Sequence, residues 1–382
     1  MNKKIAISAW FKYGHSISLV NLEHTKCFLD MSYEIYGTER SPLFSNWISK
    51  NGNYPLLDDL YYKNIVDQYK TTIATLEYDA YIDIAVPPAL MPYRAKKNAV
   101  FMVSESDQLS PTYIKFAGGL SSLRRIHDEC NFIFTPSEWS RQSILNTGLD
   151  QNNVFVVPHG VQPLVLSNET RKSIKYKLKD KLKITQDKIV ILHVGAMTDN
   201  KGIDVLIKAI SLSNYSKKVC LLLKGNDSLF SSNKIVTRVL KFCADQGLSL
   251  PEIKYIGKNM SKNSLTHLFL SCDLYASLFR SEGFNLPVAE AINLDIPVLV
   301  SQAPPVTEYL QDSKKAYYVQ AKSILNPSTN KIMQFEPDLE SAVEQVNRFC
   351  QSYDILNEEK HKSTLITWHK STQILCNHLG LI

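Results

Sequence analysis

The sequence predicts an α/β chain of two Rossmann-like, doubly wound domains, and three features point there. Its 382 residues exceed one ordinary core and suit two of roughly 150–200 residues each. Short β-branched and apolar runs alternate with longer segments of helical period along the chain. The alternation falls into two consecutive β/α series of similar length, and such series fold as parallel sheets covered by helices.

In the first series the predicted strands are residues 4–10, 33–37, 80–86, 99–106, 131–137 and 154–160. The second series has 188–197, 219–226, 252–257, 273–279, 297–303 and 316–320. Pro158, Gly160 and Pro163 interrupt both periods, so the reading gives an N-terminal domain over 1–161 and a C-terminal domain over 162–355. Residues 356–382, with apolar Leu365, Trp368, Ile374 and Leu375, read as a helix crossing back to the first domain. Ligands of open α/β sheets bind at the carboxyl ends of strands, which places the expected substrate in a cleft between facing domains.

Composition narrows the class. A 44% hydrophobic chain with 21% charged residues is globular, not disordered. No apolar run has bilayer-spanning length, and "MNKKIAISAWFKYGHS" lacks the pattern of a signal peptide. A soluble cytoplasmic enzyme is therefore expected. Seven scattered cysteines without a CxxC pair read as free thiols, mostly in the core. Basic runs at 93–98, 123–125 and 171–183 read first as solvated helix faces, and second as peripheral contact with the inner face of a membrane. No nucleic-acid module is present, and no GxGxxG follows a strand, which argues against a dehydrogenase.

The stretch with chemistry is "SEGFNLPVAE", residues 281–290. The strand before it should end at Phe279. Residues 280–285 then form a turn, with Asn285 as N-cap and Pro287 in the first helical turn. The helix should stop before Pro297. The amides of Gly283, Phe284, Asn285 and Leu286 at this helix start suit an anion such as a diphosphate, and Gly283 lets the backbone come close. Glu290, about one turn in, can accept from two vicinal ribose hydroxyls. Glu282 can accept from the hydroxyls of a sugar on the far phosphate.

The string "CDLYASLFRSEGFNLPVAEAINLDIPVLVS" resembles the donor-binding core of the group 1 glycosyltransferases, a large retaining family with the GT-B fold. "VILHVGAMTDNKGIDVLIKAI" (190–210) is similar to that family's first donor strand and loop, which implies that Gly195 and Lys201 bind the diphosphate. "FIFTPSEWSRQSILNTGLDQNNVFVVPHGVQP" (132–163) looks like the passage between domains, and "MVSESDQLSPTYI" (102–114) is similar to a loop carrying an acid pair, here Glu105 and Asp107. The resemblance spans about residues 100–310.

It implies transfer of a sugar from a UDP- or GDP-sugar to a hydroxyl of a glycan, lipid-linked glycan or protein. Configuration is retained, no metal or other cofactor is needed, and the leaving phosphate takes the acceptor proton. Lys201 and Glu282 would carry the reaction, with Lys224 as a further cation. Lys258 and Asn259 would line the base pocket, and Gly14, His15, Glu105 and Asp107 the acceptor or sugar side. His159 reads as a hinge residue and His193 as a satisfied core histidine. Two departures stand out: Ala196 follows Gly195 where relatives commonly carry arginine, and Asp295 replaces the glycine after the helix. Two other readings stay open, a non-catalytic nucleotide-sugar-binding partner subunit and a sugar-nucleotide 2-epimerase.

Overall fold

The computed structural model describes residues 2–42, 59–90, 93–164, 167–310, 313–353 and 365–382. The expected boundary at 355–356 and the first residues of the C-terminal segment lie outside them. The chain divides into two compact units, the first of residues 1–161, 325–333 and 366–382 and the second of 162–324 and 334–365. Residues 325–333 thus group with the first unit, which the reading of one unbroken 162–355 domain does not include.

The first unit contains β1 (Lys4–Ala9), β2 (Glu34–Glu39), β3 (Lys70–Thr71), β4 (Glu77–Tyr78), β5 (Ala80–Ile84), β6 (Arg94–Ala95), β7 (Asn98–Phe101), β8 (Phe132–Thr135) and β9 (Val154–Val156). Seven of these form one sheet in the order β3-β2-β1-β5-β7-β8-β9, with every pair parallel. Strand β5 is buried throughout, as expected when helices cover both faces. Ile7, Leu22, Phe28, Ile82 and Phe134 share a core with Leu375 and Leu379 of the helix Trp368–Leu379. That helix is fixed further by His24 Nδ1, 2.8 Å from Thr372 Oγ1.

The second unit has β10 (Ile189–Val194), β11 (Val219–Lys224), β12 (Glu252–Ile256), β13 (Leu274–Ser277), β14 (Val298–Ser301) and β15 (Ala316–Val319), in the parallel order β12-β11-β10-β13-β14-β15. Side chains alternate between faces with period two: Ile191 and Leu221 enter one core with Leu206 and Phe349, Leu192 and Leu222 the other with Val288 and Val298. A two-stranded sheet of β16 (Ala321–Leu325) and β17 (Met333–Pro337) completes the set.

The strands expected from sequence all form, most of them shorter than expected, with β2 running on to Glu39 and β7 starting at Asn98, and the chain is of the α/β, GT-B class with two Rossmann-like units. The expected solvated face at 171–183 forms in part: Lys172, Lys177, Lys181 and Lys183 are exposed, but three other basic residues turn inward. Within the helix Asn168–Leu182, Lys175 pairs with Asp273, Arg171 donates to the Leu294 carbonyl at 2.6 Å, and Lys179 is buried, donating to the carbonyls of Gln186 (2.9 Å) and Lys188 (2.6 Å). Their long stems cover apolar surface while the cations find backbone and carboxylate acceptors. All seven cysteines are buried free thiols. No helix among the described residues is long and apolar enough to cross a membrane.

Candidate functional site

Because the sheet of the second unit is parallel, the segments following its strands emerge on one edge. Gly195 follows β10, Lys224 ends β11, Lys258 and Asn259 follow β12, and Glu282 follows β13. The loop after β10 closes with a 3-10 turn, Asp199–Lys201, and Gly202 at φ +61° opens the helix Ile203–Leu212. A Cβ on Gly202 would lie 1.7 Å from the Leu278 carbonyl oxygen, so only glycine allows this approach. The result is contact between loops 81 residues apart in sequence: Lys201 Nζ lies 2.7 Å from Glu282 Oε1. Both side chains are largely buried, at 17% and 10% exposure, where an ion pair is screened less than on the surface.

Arg280 braces this contact, and sequence reasoning gave it no role. It binds both Asp204 carboxylate oxygens at 2.9 Å, both Glu336 oxygens at 2.7 and 2.8 Å, and the Asp199 carbonyl at 2.8 Å. Its own N–H donates to the Asn200 carbonyl at 2.7 Å. One guanidinium thereby ties the end of β13, the lysine-bearing turn and β17 together, using the planar fork lysine lacks. Arg280→Gln is expected to cost about 2 kcal/mol in urea denaturation, below the buried-pair range because both acids are partly exposed.

The helix Leu286–Asn293 forms as expected, with Pro287 in its first turn. Asn285 does not act as the expected side-chain cap. Its backbone is left-handed (φ 67°, ψ 62°), a region asparagine tolerates, and its Nδ2 donates to Ser277 Oγ at 3.0 Å. The turn is held instead by Tyr309, whose hydroxyl donates to the carbonyls of Phe284 (3.0 Å) and Asn285 (3.2 Å) and whose ring stacks on Phe284 at 5.1 Å. Past the helix, Asp295 takes the left-handed position (φ 62°) and pairs with Lys315 at 2.7 Å, so the missing glycine is accommodated.

Glu290 is half-buried one turn into this helix, and Glu282, Gly283, Phe284 and Asn285 are buried. Lys224 is buried and donates to the Gly225 carbonyl, and burial lowers its pKa to about 8. Lys258 is exposed, and Asn259 Nδ2 contacts Ser228 Oγ at 3.3 Å. His193 departs from expectation: Nδ1 lies 2.8 Å from the Ala276 carbonyl, but Nε2 is buried with no hydrogen-bond partner among the described residues.

The acceptor-side candidates belong to the first unit, in loops after β1 and β7. His15 Nδ1, next to Gly14, accepts from the Ile17 N–H at 3.2 Å and caps the helix Ser16–Asp30. Glu105 is exposed. Asp107 Oδ1 accepts from the Met333 N–H at 2.8 Å, so one of its oxygens is engaged in holding residues 325–333. His159 is buried between Phe101 and Trp368, at ring distances of 5.5 and 5.8 Å.

Residues 175–346 match the family described as Glycosyl transferases group 1. The match takes in less than half of the 382 residues. The group 1 segment contains Lys201, Glu282 and Glu290, together with all six strands of the second unit's sheet. A protein of Sulfolobus islandicus filamentous virus, provisionally named glycosyltransferase 45, is 22% identical over 227 residues, which cover 58% of this chain and 54% of the viral protein. The match therefore spans about half the length of that curated relative. Among solved structures, HepE of Anabaena in complex with UDP-glucose has a TM-score of 0.68 at 14% identity, covering 99% of this chain and 100% of HepE. Sucrose-phosphate synthase from Thermosynechococcus elongatus has a TM-score of 0.63 at 12% identity, covering 100% and 97%. At these identities the structural likeness establishes the fold alone.

Proposed function

We propose that this protein is a retaining group 1 glycosyltransferase that moves a sugar from a nucleoside diphosphate sugar to a hydroxyl acceptor without a metal ion. The observation that carries the reading is the Lys201–Glu282 pair at 2.7 Å beside the start of the helix Leu286–Asn293. It sets a cation and a sugar-binding carboxylate next to a dipole that favours anions.

In this reading the diphosphate takes Lys201 as its counter-ion and lies against the turn Gly283–Leu286, and Glu290 accepts from the ribose hydroxyls. Glu282, released from Lys201, accepts from hydroxyls of the transferred sugar. Lys201 and the helix-start amides stabilise charge on the departing diphosphate, which then takes the acceptor proton as attack occurs on the same face. Lys258 and Asn259 flank the base. The acceptor, a glycan, lipid-linked glycan or protein hydroxyl, meets the loops carrying Gly14, His15, Glu105 and Asp107.

Thermal-shift titration with UDP, GDP, ADP and their sugars tests the site. One nucleotide should raise the midpoint by several degrees at saturating concentration, and UDP is the first probe because the HepE structure holds UDP-glucose. No shift with any of them overturns the reading. Incubation with a radiolabelled donor then separates the alternatives, since label in an acceptor means transfer and an epimerised sugar means 2-epimerase. Binding without turnover, the outcome Ala196 would favour by lacking a cation, means a non-catalytic partner subunit.

A further inference from the structure

His193 is the penultimate residue of the otherwise apolar strand β10, and it is 1% exposed. The 2.8 Å contact of Nδ1 with the Ala276 carbonyl requires a proton on that nitrogen. Nε2 therefore carries a lone pair, and it has no partner among the described residues. A buried polar atom left unpaired is costly and calls for an explanation.

The surroundings of Nε2 supply one. A Cβ added to Gly195 would come 3.3 Å from Nε2 and 3.7 Å from Lys201 Cγ, so the missing side chain leaves the imidazole next to the lysine stem. Other groups near it are the Tyr275 ring on β13, stacked at 6.5 Å, and Glu282 through its bond to Lys201; Leu223 is in register with His193 on β11, and Lys224 follows it on the other face of the sheet. Without an anion, burial holds His193 neutral against the opposing bond to the Ala276 carbonyl, the Lys201 charge adds a smaller push the same way as burial, and the pKa is lowered to about 4. An incoming diphosphate reverses the electrostatic part of that balance.

We propose that His193 takes up a proton from solvent on Nε2 when a nucleoside diphosphate sugar binds, and donates that N–H to the diphosphate. The proton returns to solvent when the nucleotide leaves. His193 thereby supplies a second cation at a site where Ala196 offers none. The inference rests on the donor reading above.

The test is calorimetry of UDP-glucose binding at pH 6 in buffers of different ionisation enthalpy, comparing wild type with His193→Asn, with GDP-mannose and ADP-glucose as further arms. A diphosphate diester does not titrate in this range, and Lys224 is protonated at pH 6 in either state. Asparagine Nδ2 keeps the bond to the Ala276 carbonyl and removes the titrating nitrogen. Wild type should take up more than about half a proton and bind up to roughly tenfold more tightly for each unit fall in pH between 7.5 and 5.5. His193→Asn should lose the uptake, bind roughly tenfold more weakly at pH 6, and match wild type within about twofold at pH 8.5. Binding without uptake in wild type, or uptake retained in His193→Asn, overturns the proposal and leaves the donor site standing. Failure of all three sugars to bind wild type overturns both.

Discussion

Lys201→Ala is expected to lower sugar transfer by roughly 10²–10³-fold, the usual effect of removing one group that stabilises developing charge. The loss should fall mainly on kcat, because the cation matters most as the diphosphate departs. Nucleotide affinity should fall as well, since Glu282 is then left beside the diphosphate without its 2.7 Å partner. Steady-state assays with a labelled donor, alongside calorimetry of nucleotide binding, check this. Turnover and affinity near wild type would remove Lys201 from the mechanism.

The largest structural effect is expected at Gly202. Gly202→Ala must place its Cβ against the Leu278 carbonyl, 1.7 Å away in the present geometry, from a backbone at φ +61°. Retreat is blocked because the Arg280 N–H to Asn200 carbonyl bond, at 2.7 Å, fixes the preceding turn to the same strand end. Destabilisation of more than about 3 kcal/mol is expected, combining left-handed strain with a backbone clash. Gly247→Ala is the control: its φ is +75° with nothing within 4 Å of the added Cβ, so it should cost only about 1 kcal/mol. Equal losses in urea denaturation would mean that the close approach at Gly202 contributes nothing.

Much of this architecture was legible in the sequence because strands buried on both faces read as unbroken apolar runs, as in "VCLLLK" of β11, where every residue is buried. The two-residue strands β3, β4 and β6 are too short to leave a pattern. Strand β16 has no fully buried residue, only half-buried and exposed ones, and so leaves no buried-strand signal. At the site, Lys201 and Glu282 were each named from the local strings that resemble the family. Their pairing was not legible, because it depends on Gly202 meeting Leu278 across the fold.

The same limit hid Arg280, whose partner Glu336 is 56 residues away, and Tyr309, which holds the turn from 25 residues downstream. Asn285 was misread because its residue type suits both an N-cap and a left-handed turn. The nearby Ser277 hydroxyl supplies the partner that accompanies the second. His193 looked like an ordinary core residue because its strand is apolar on either side, and sequence does not disclose which ring nitrogen finds a partner.

The central claim is that the segment from Glu282 to Glu290 grips a nucleotide sugar, with Glu290 on the ribose. The most direct test is a cycle in which wild type and Glu290→Ala each bind the selected nucleoside diphosphate and its 2′,3′-dideoxy form, by calorimetry. Loss of the two hydroxyls should weaken wild type at least tenfold, the scale of hydrogen bonds to a charged acceptor, and Glu290→Ala by less than about twofold. Equal weakening of both proteins would place the ribose elsewhere and contradict the account.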